Sequence, residues 1–274
     1  MNVIMKTELE KLTQEYKALS QNYIDLERLN LYLISHHSTA IEGSTLTVLE
    51  TEIFLEKGLT AKGKPLEHHL MVKDHFESLG FIIESAKAKQ KIDTKFIQNI
   101  NAHIMKSTGT VHNTALGTFD SSKGDLRLLN VRAGISGESY LNYNKVPQYL
   151  KNMCTDLNSK INEVKTVEEI NELAFLGHYQ LVTIHPFVDG NGRTSRLLMN
   201  YIQSYHEMPM TIVFEEDRQE YIESLIETRK EGNIQIFLDF MKGQHLKFLN
   251  EEIKKLQNLT PPKKGSQRNI RLLF

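Results

Sequence analysis

The chain has 274 residues, 33 of them lysine or arginine and 34 aspartate or glutamate. That near balance excludes a general electrostatic pull toward nucleic acid or an anionic membrane, so any anion site must be local. The only cysteine, Cys154, excludes an internal disulfide and a thiolate zinc framework. No apolar run approaches the roughly 20 residues that span a bilayer, and the start lacks a signal-peptide core, so a soluble cytoplasmic protein is expected.

From Leu9 the apolar residues fall at Leu9, Leu12, Tyr16, Leu19, Tyr23 and Leu26, three and four apart, which predicts an amphipathic N-terminal helix within residues 1–30. The stripe either docks on the protein's own body or forms a short coiled-coil seam, which leaves a homodimer open. Two short helices follow. Gly43 offers the left-handed residue past the first, Thr47 and Glu50 form a capping box for the second, and Gly58 ends it. Core helices are predicted from about Leu66 to Ala86 and from Asp93 to about Met105. Gly117 to Lys145 loses the helical stripe and reads as loop with at most a small hairpin.

Helical signals resume over Pro147 to Lys160, and a second capping box at Thr166 and Glu169 opens a helix running toward residue 184. Pro186 disfavours helical geometry at His185, which stops the helix and releases the histidine into a turn. Helices are then expected over Arg193–Tyr205, Asp217–Glu231 with Gly232 as terminator, and Ile234–Gln257. The prediction is a mainly α domain over residues 31–257, followed by a flexible tail, residues 258–274, with Lys263, Lys264, Arg268 and Arg271.

The run HPFVDGNGRTSR, His185 to Arg196, concentrates the chemistry. A glycine-rich turn opening a helix bares backbone N–H groups at the positive end of the helix dipole, a seat for phosphate oxygens, and Gly190 and Gly192 permit close approach. Arg193 and Arg196, three apart in the first turn, can grip one anion, although as cations there they oppose the helix dipole. They therefore fit a strongly negative occupant such as a di- or triphosphate. Asp189 would repel that occupant unless a divalent cation lay between, and magnesium commonly joins one carboxylate to substrate phosphates. His185 adds a group able to take a proton near neutral pH. The run lacks the spacing of a P-loop, the third glycine of a dinucleotide fingerprint and the ligand pattern of an EF-hand loop.

These residues resemble the signature of the Fic family: histidine, proline, phenylalanine, two variable positions, Gly-Asn-Gly-Arg, two variable positions and arginine. Every fixed position is present, and the similarity to the family's AMP-transferases extends through Leu197–Asn200. The resemblance implies a helical bundle with a small β-hairpin flap beside the site, near Leu126 to Ile135, that would pair with an extended target segment. It implies transfer of AMP from ATP to a hydroxyl side chain of an unidentified target protein. His185 would be the general base and Asp189 the magnesium ligand. Gly190, Asn191 and Gly192 would hold phosphates, with Arg193 and Arg196 neutralising the leaving-group side.

Ser38, Glu42 and Gly43 resemble the same family's inhibitory motif, serine or threonine, three positions, glutamate, then glycine or asparagine. A carboxylate reaching Arg196 would remove the cation that receives the terminal phosphate. Tyr221 matches the first of the family's paired tyrosines near adenine, with Ile222 in place of the second; it reads equally as a core aromatic. His36, His37, His68 and His69 read as structural, since no cysteine completes a metal set. Rival functions are removal of AMP with the help of Glu42, and non-enzymatic nucleotide sensing.

Overall fold

The computed structural model describes residues 7–21, 23, 26–132, 137 and 139–259. Among them are ten α-helices and one two-stranded sheet: α1 (Glu8–Ser20), α2 (Leu26–Ala40), α3 (Val48–Lys57), α4 (Leu66–Lys87), α5 (Thr94–Ile104), β1 (Val111–Thr114), β2 (Gly117–Asp120), α6 (Val146–Lys160), α7 (Val167–Ile184), α8 (Asn191–Tyr205), α9 (Arg218–Glu231) and α10 (Gln235–Asn258). The mainly α expectation holds, and the predicted terminators act as such: Gly58 and Gly232 close α3 and α9 in left-handed conformation. Both capping boxes form, Thr47 with Glu50 and Thr166 with Glu169.

At the centre α7 packs on α8, with α4 and α5 against α8 and α6 against α7. Twelve of the 15 residues of α8 are buried, so this helix has no solvent face on which to leave polar side chains. They are satisfied internally: Gln203 donates to Asn171 at 2.6 Å and accepts from the Thr211 amide at 2.8 Å, while Asn200 donates to the Thr211 carbonyl at 3.0 Å. Such a network fixes the register of α8 because a shift would orphan several groups at once. Gly177 lets α7 and α8 approach; a Cβ there would lie 3.1 Å from Ile202 Cδ1. The N-terminus of α8 is thereby held rigidly, and the functional turn sits on it.

Two expectations are corrected. The apolar stripe predicted to run to Leu26 is divided: α1 ends at Ser20, whose hydroxyl bonds the Lys17 carbonyl at 3.1 Å and so competes with helix propagation, and Leu26 begins α2. α1 docks on α10 and α7 through buried Leu9 and Tyr16, the self-docking alternative. The hairpin also begins before Gly117, its first strand preceding the stretch read as loop, and it pairs Val111 with Asp120 and Thr114 with Gly117. A second, minimal pairing joins Arg132 to Ser139 and the Tyr140 amide to the Val131 carbonyl, and this one borders the functional turn. Residues 133–136 of the expected flap and 260–274 of the expected tail lie outside the described residues. Among the described residues no helix is long and apolar enough to cross a membrane.

Candidate active site

The turn is held from inside. His185 ends α7 with φ 52° and ψ 60°, its amide bonding the Leu181 carbonyl. The Asn191 side chain closes the loop on itself, Oδ1 accepting from the Phe187 amide at 3.0 Å and Nδ2 donating to the Phe187 carbonyl at 2.9 Å. Both ends of the Asn191 amide are thus engaged by the loop, and the residue is buried, so in this structure its side chain holds the shape of the turn. Asn101 of α5, which no sequence motif marks, donates to the Asp189 carbonyl at 3.1 Å and to Thr194 Oγ1 at 3.1 Å. Gly190 is required twice over, by a φ of +79° and because a Cβ would meet Asn101 Nδ2 at 2.7 Å.

His185 Nδ1 lies 3.3 Å from the Val182 carbonyl. A carbonyl only accepts, so Nδ1 carries the proton and Nε2 keeps its lone pair. Burial lowers the imidazole pKa to about 4; the Val182 carbonyl opposes this, and the nearby cations Arg127 and Arg229 reinforce it. The ring is therefore neutral at pH 7 and competent as a base. Tyr140 stacks on it with centroids 3.7 Å apart, fixing its plane. Arg127, 1% exposed, donates from Nε to the His185 carbonyl at 2.7 Å, from Nη1 to the Leu129 carbonyl at 2.7 Å, and from Nη2 to the Leu141 carbonyl. Its amide bonds the Pro186 carbonyl. One guanidinium thus ties the segment bordering the site to the histidine's own backbone.

The two arginines differ. Arg193 is 2% exposed, and its Nε and Nη1 have no hydrogen-bond partner; Nη2 reaches only Asp189 Oδ1 and Met105 Sδ, each at 3.5 Å. A buried guanidinium so poorly satisfied is costly unless an anion completes it. Arg196 has partners at every nitrogen: Nε donates to Ser38 Oγ at 2.9 Å, Nη2 to the Ser38 carbonyl at 2.8 Å and to Glu42 Oε1 at 2.7 Å, and Nη1 to Tyr221 OH at 3.5 Å. Tyr221 is buried, with its hydroxyl 2.9 Å from His178 Nε2, so it stands behind Arg196 as a buttress; the sequence marked the position, and the core-aromatic alternative describes its surroundings.

Glu42 follows α2 in a turn where Gly43 takes φ +103°. A Cβ on Gly192 would lie 2.3 Å from Glu42 Oε1, so the carboxylate rests on the bare face of the α8 N-terminus where an anion is expected. Burial would raise the Glu42 pKa, but Arg196 foremost, with Arg193 and Arg218, holds it below the ordinary carboxylate value. Arg218, which opens the segment containing Tyr221, donates to the Ile41 carbonyl at 2.7 Å. The four histidines are engaged locally: His37 Nδ1 accepts from the Glu215 amide, His36 faces Glu215, His68 Nδ1 accepts from the Thr45 amide, and His69 Nε2 accepts from the Ala61 amide.

Asp189 has a side chain 64% exposed beside Arg193, and the Gly190 amide donates to its Oδ1. Among the described residues no group of three or more His, Cys, Asp or Glu could cage a metal. A single exposed carboxylate suits magnesium, which keeps waters and takes its remaining ligands from substrate phosphates.

Residues 91–203 match the Fic/DOC family model. The protein adenylyltransferase fic-1 of Caenorhabditis elegans is 30% identical over 246 residues, 84% of this chain and 45% of its own length. The protein adenylyltransferase Fic of Drosophila erecta is 32% identical over 214 residues, 75% of this chain and 38% of its own. The chain thus spans less than half the length of these curated relatives. A Fic-domain-containing signalling protein from Bacteroides thetaiotaomicron superposes with a TM-score of 0.77 at 25% identity, over 94% of this chain and 100% of that one. A Fic-1 fragment from C. elegans superposes with a TM-score of 0.72 at 25% identity, over 91% of this chain and 71% of that one.

Proposed function

We propose that this chain, which belongs to the Fic/DOC family, transfers AMP from ATP to a hydroxyl side chain of a protein, releasing pyrophosphate, and that Glu42 restrains it. The observation that carries the reading is an imidazole with an unprotonated Nε2 in the turn that leads into a helix N-terminus whose anion position is filled by a carboxylate of the same chain. Two curated relatives named protein adenylyltransferase support it.

In this reading Nε2 of His185 takes the proton of the target hydroxyl as its oxygen attacks the α-phosphorus, and the bond to the pyrophosphate oxygen breaks. The Gly192 amide and Arg193 hold phosphate oxygens in the low-dielectric turn, where fixed donors stabilise developing charge without reorganising. Arg193 gains partners for its orphaned Nε and Nη1. Magnesium, held by Asp189 and the phosphates, would supply further charge neutralisation on the leaving group. Arg196 receives the terminal phosphate once Glu42 withdraws. With Glu42 in place the phosphates are displaced, and a misplacement of ~1 Å can cost on the order of a hundredfold in rate.

The test is Glu42→Gly incubated with ATP labelled on the α-phosphate. Protein labelling should rise well above that of the parent chain, and label on the γ-phosphate should leave as pyrophosphate. Equal labelling of parent and variant removes the restraint, and γ-label retained on protein replaces AMP transfer with phosphate transfer.

A further inference from the structure

The contact between Glu42 and Arg196 depends on where the turn after α2 is held, and part of that holding comes from a short segment elsewhere in the chain. Residues 214–218, including a single 3-10 turn Glu215–Asp217, form a bracket between α2 and α10. On the α2 side, the Glu215 amide donates to His37 Nδ1 at 3.2 Å, the Glu215 carboxylate lies 3.5 Å from His36 Nε2, and Arg218 Nε donates to the Ile41 carbonyl at 2.7 Å. The His37 ring also packs edge-on against Phe214, centroids 5.0 Å apart. On the α10 side, Lys247 Nζ reaches Glu216 at 2.9 Å and Asp217 at 2.7 Å, and Gln244 bonds both Asp217 at 2.8 Å and the Phe214 amide at 2.9 Å.

The histidine contact has a chemical requirement. To accept from a backbone amide, Nδ1 must be unprotonated, and burial keeps it so by lowering the His37 pKa to about 4, with His36 adding to the effect. The acceptor is therefore present throughout the neutral range. A hydrogen bond to a main-chain amide fixes the helix more rigidly than one between two flexible side chains, because only one side chain must be ordered.

We propose that His37 is a positioning residue for Glu42: with Arg218, it latches the end of α2 to the 214–218 bracket, and Lys247 secures that bracket to α10, so inhibition is set by a chain of contacts beginning on α10. The inference rests on the reading of Glu42 as the restraining group. It assigns the latch no part in the chemistry of transfer.

The experiment is a double-mutant cycle with labelled ATP. His37→Phe keeps a ring against Phe214 but removes the acceptor, and Lys247→Met releases the bracket from α10. Each should raise labelling by roughly three- to tenfold over the parent, the range expected for one or two hydrogen bonds of ordinary strength. In a Glu42→Gly background neither should add anything, since the latch acts only through Glu42. A merely structural role would lower labelling in both backgrounds. Parent-level labelling by both folded variants, with Glu42→Gly active, overturns the latch and leaves the autoinhibition standing. Hydrogen exchange supplies a readout that needs no activity: the amides of Glu42 and Gly43, bonded to the Thr39 and Ala40 carbonyls, should lose protection in both variants. Unchanged protection overturns the latch even where Glu42→Gly fails to label. Lys247 is partly exposed, so its variant preserves the test if His37→Phe does not fold.

Discussion

Glu42 Oε1 and Arg196 Nη2 lie 2.7 Å apart although 154 residues separate them in the chain. Arg196 is 3% exposed at its side chain, whereas Glu42 is 33% exposed. The arginine is thus a permanent part of the interior, and the glutamate is the partner able to leave.

Glu42→Gln keeps the shape and removes the charge. With no nucleotide present it leaves the buried Arg196 without its counter-ion, so the apo protein should lose about 1–3 kcal/mol of stability. ATP replaces the missing anion, and the rise in Tm on adding ATP should exceed that of the parent. Differential scanning calorimetry with and without nucleotide makes the comparison. Equal apo stabilities would mean that the pair is screened and contributes little.

Arg127→Met removes the donor to three backbone carbonyls around the histidine. The loss should be about 2–4 kcal/mol in urea unfolding, since each orphaned carbonyl carries its own desolvation cost. In the Glu42→Gly background, kcat for AMP transfer should fall by roughly tenfold or more, because the His185 carbonyl loses its tether and the ring shifts. A variant with full kcat but reduced stability would confine Arg127 to a structural role.

The buried histidines make the fold sensitive to mild acid. The pKa values of His37 and His185 are lowered to about 4 and that of His245 to about 3, chiefly by burial, from an ordinary value of 6.5. Below pH 6.5 the unfolded chain takes up protons that the folded chain refuses. The unfolded state then binds more protons, so stability present above pH 6.5 is lost as pH falls, and the loss continues until the folded imidazoles titrate near pH 4. Each such group contributes up to about 1.4 kcal/mol per pH unit in that window. Urea midpoints at pH 7, 6 and 5 should fall steadily. Midpoints flat to pH 5 would show that these rings reach water in the folded state.

How far the sequence could be read depends on the range of the interaction. Helix ends were legible because capping is local: Thr47 with Glu50, Thr166 with Glu169, and Gly58 each act within four residues of themselves. The identity of the turn was legible because its backbone requirements fall in consecutive positions, from the αL histidine before Pro186 to Gly190. The partners that orient the site come from elsewhere. Arg127 sits in a stretch poor in helical signal, Tyr140 reaches His185 only through folding, and Asn101 is one of many polar residues on an amphipathic helix. The resemblance assigns Asn191 to phosphate by its position in the motif; its carboxamide bonds Phe187, four residues away, and spacing alone does not reveal that contact.

The left-handed backbone of His185 bears on how its chemistry should be dissected. Alanine resists φ 52°, so an alanine replacement would remove the imidazole and also disturb the loop beneath the nucleotide. Asparagine tolerates that conformation better than most residues. His185→Asn should therefore abolish transfer while preserving nucleotide affinity, and a calorimetric titration that finds ATP affinity intact in the asparagine variant but weakened in the alanine variant would separate what the ring does from what the main chain does.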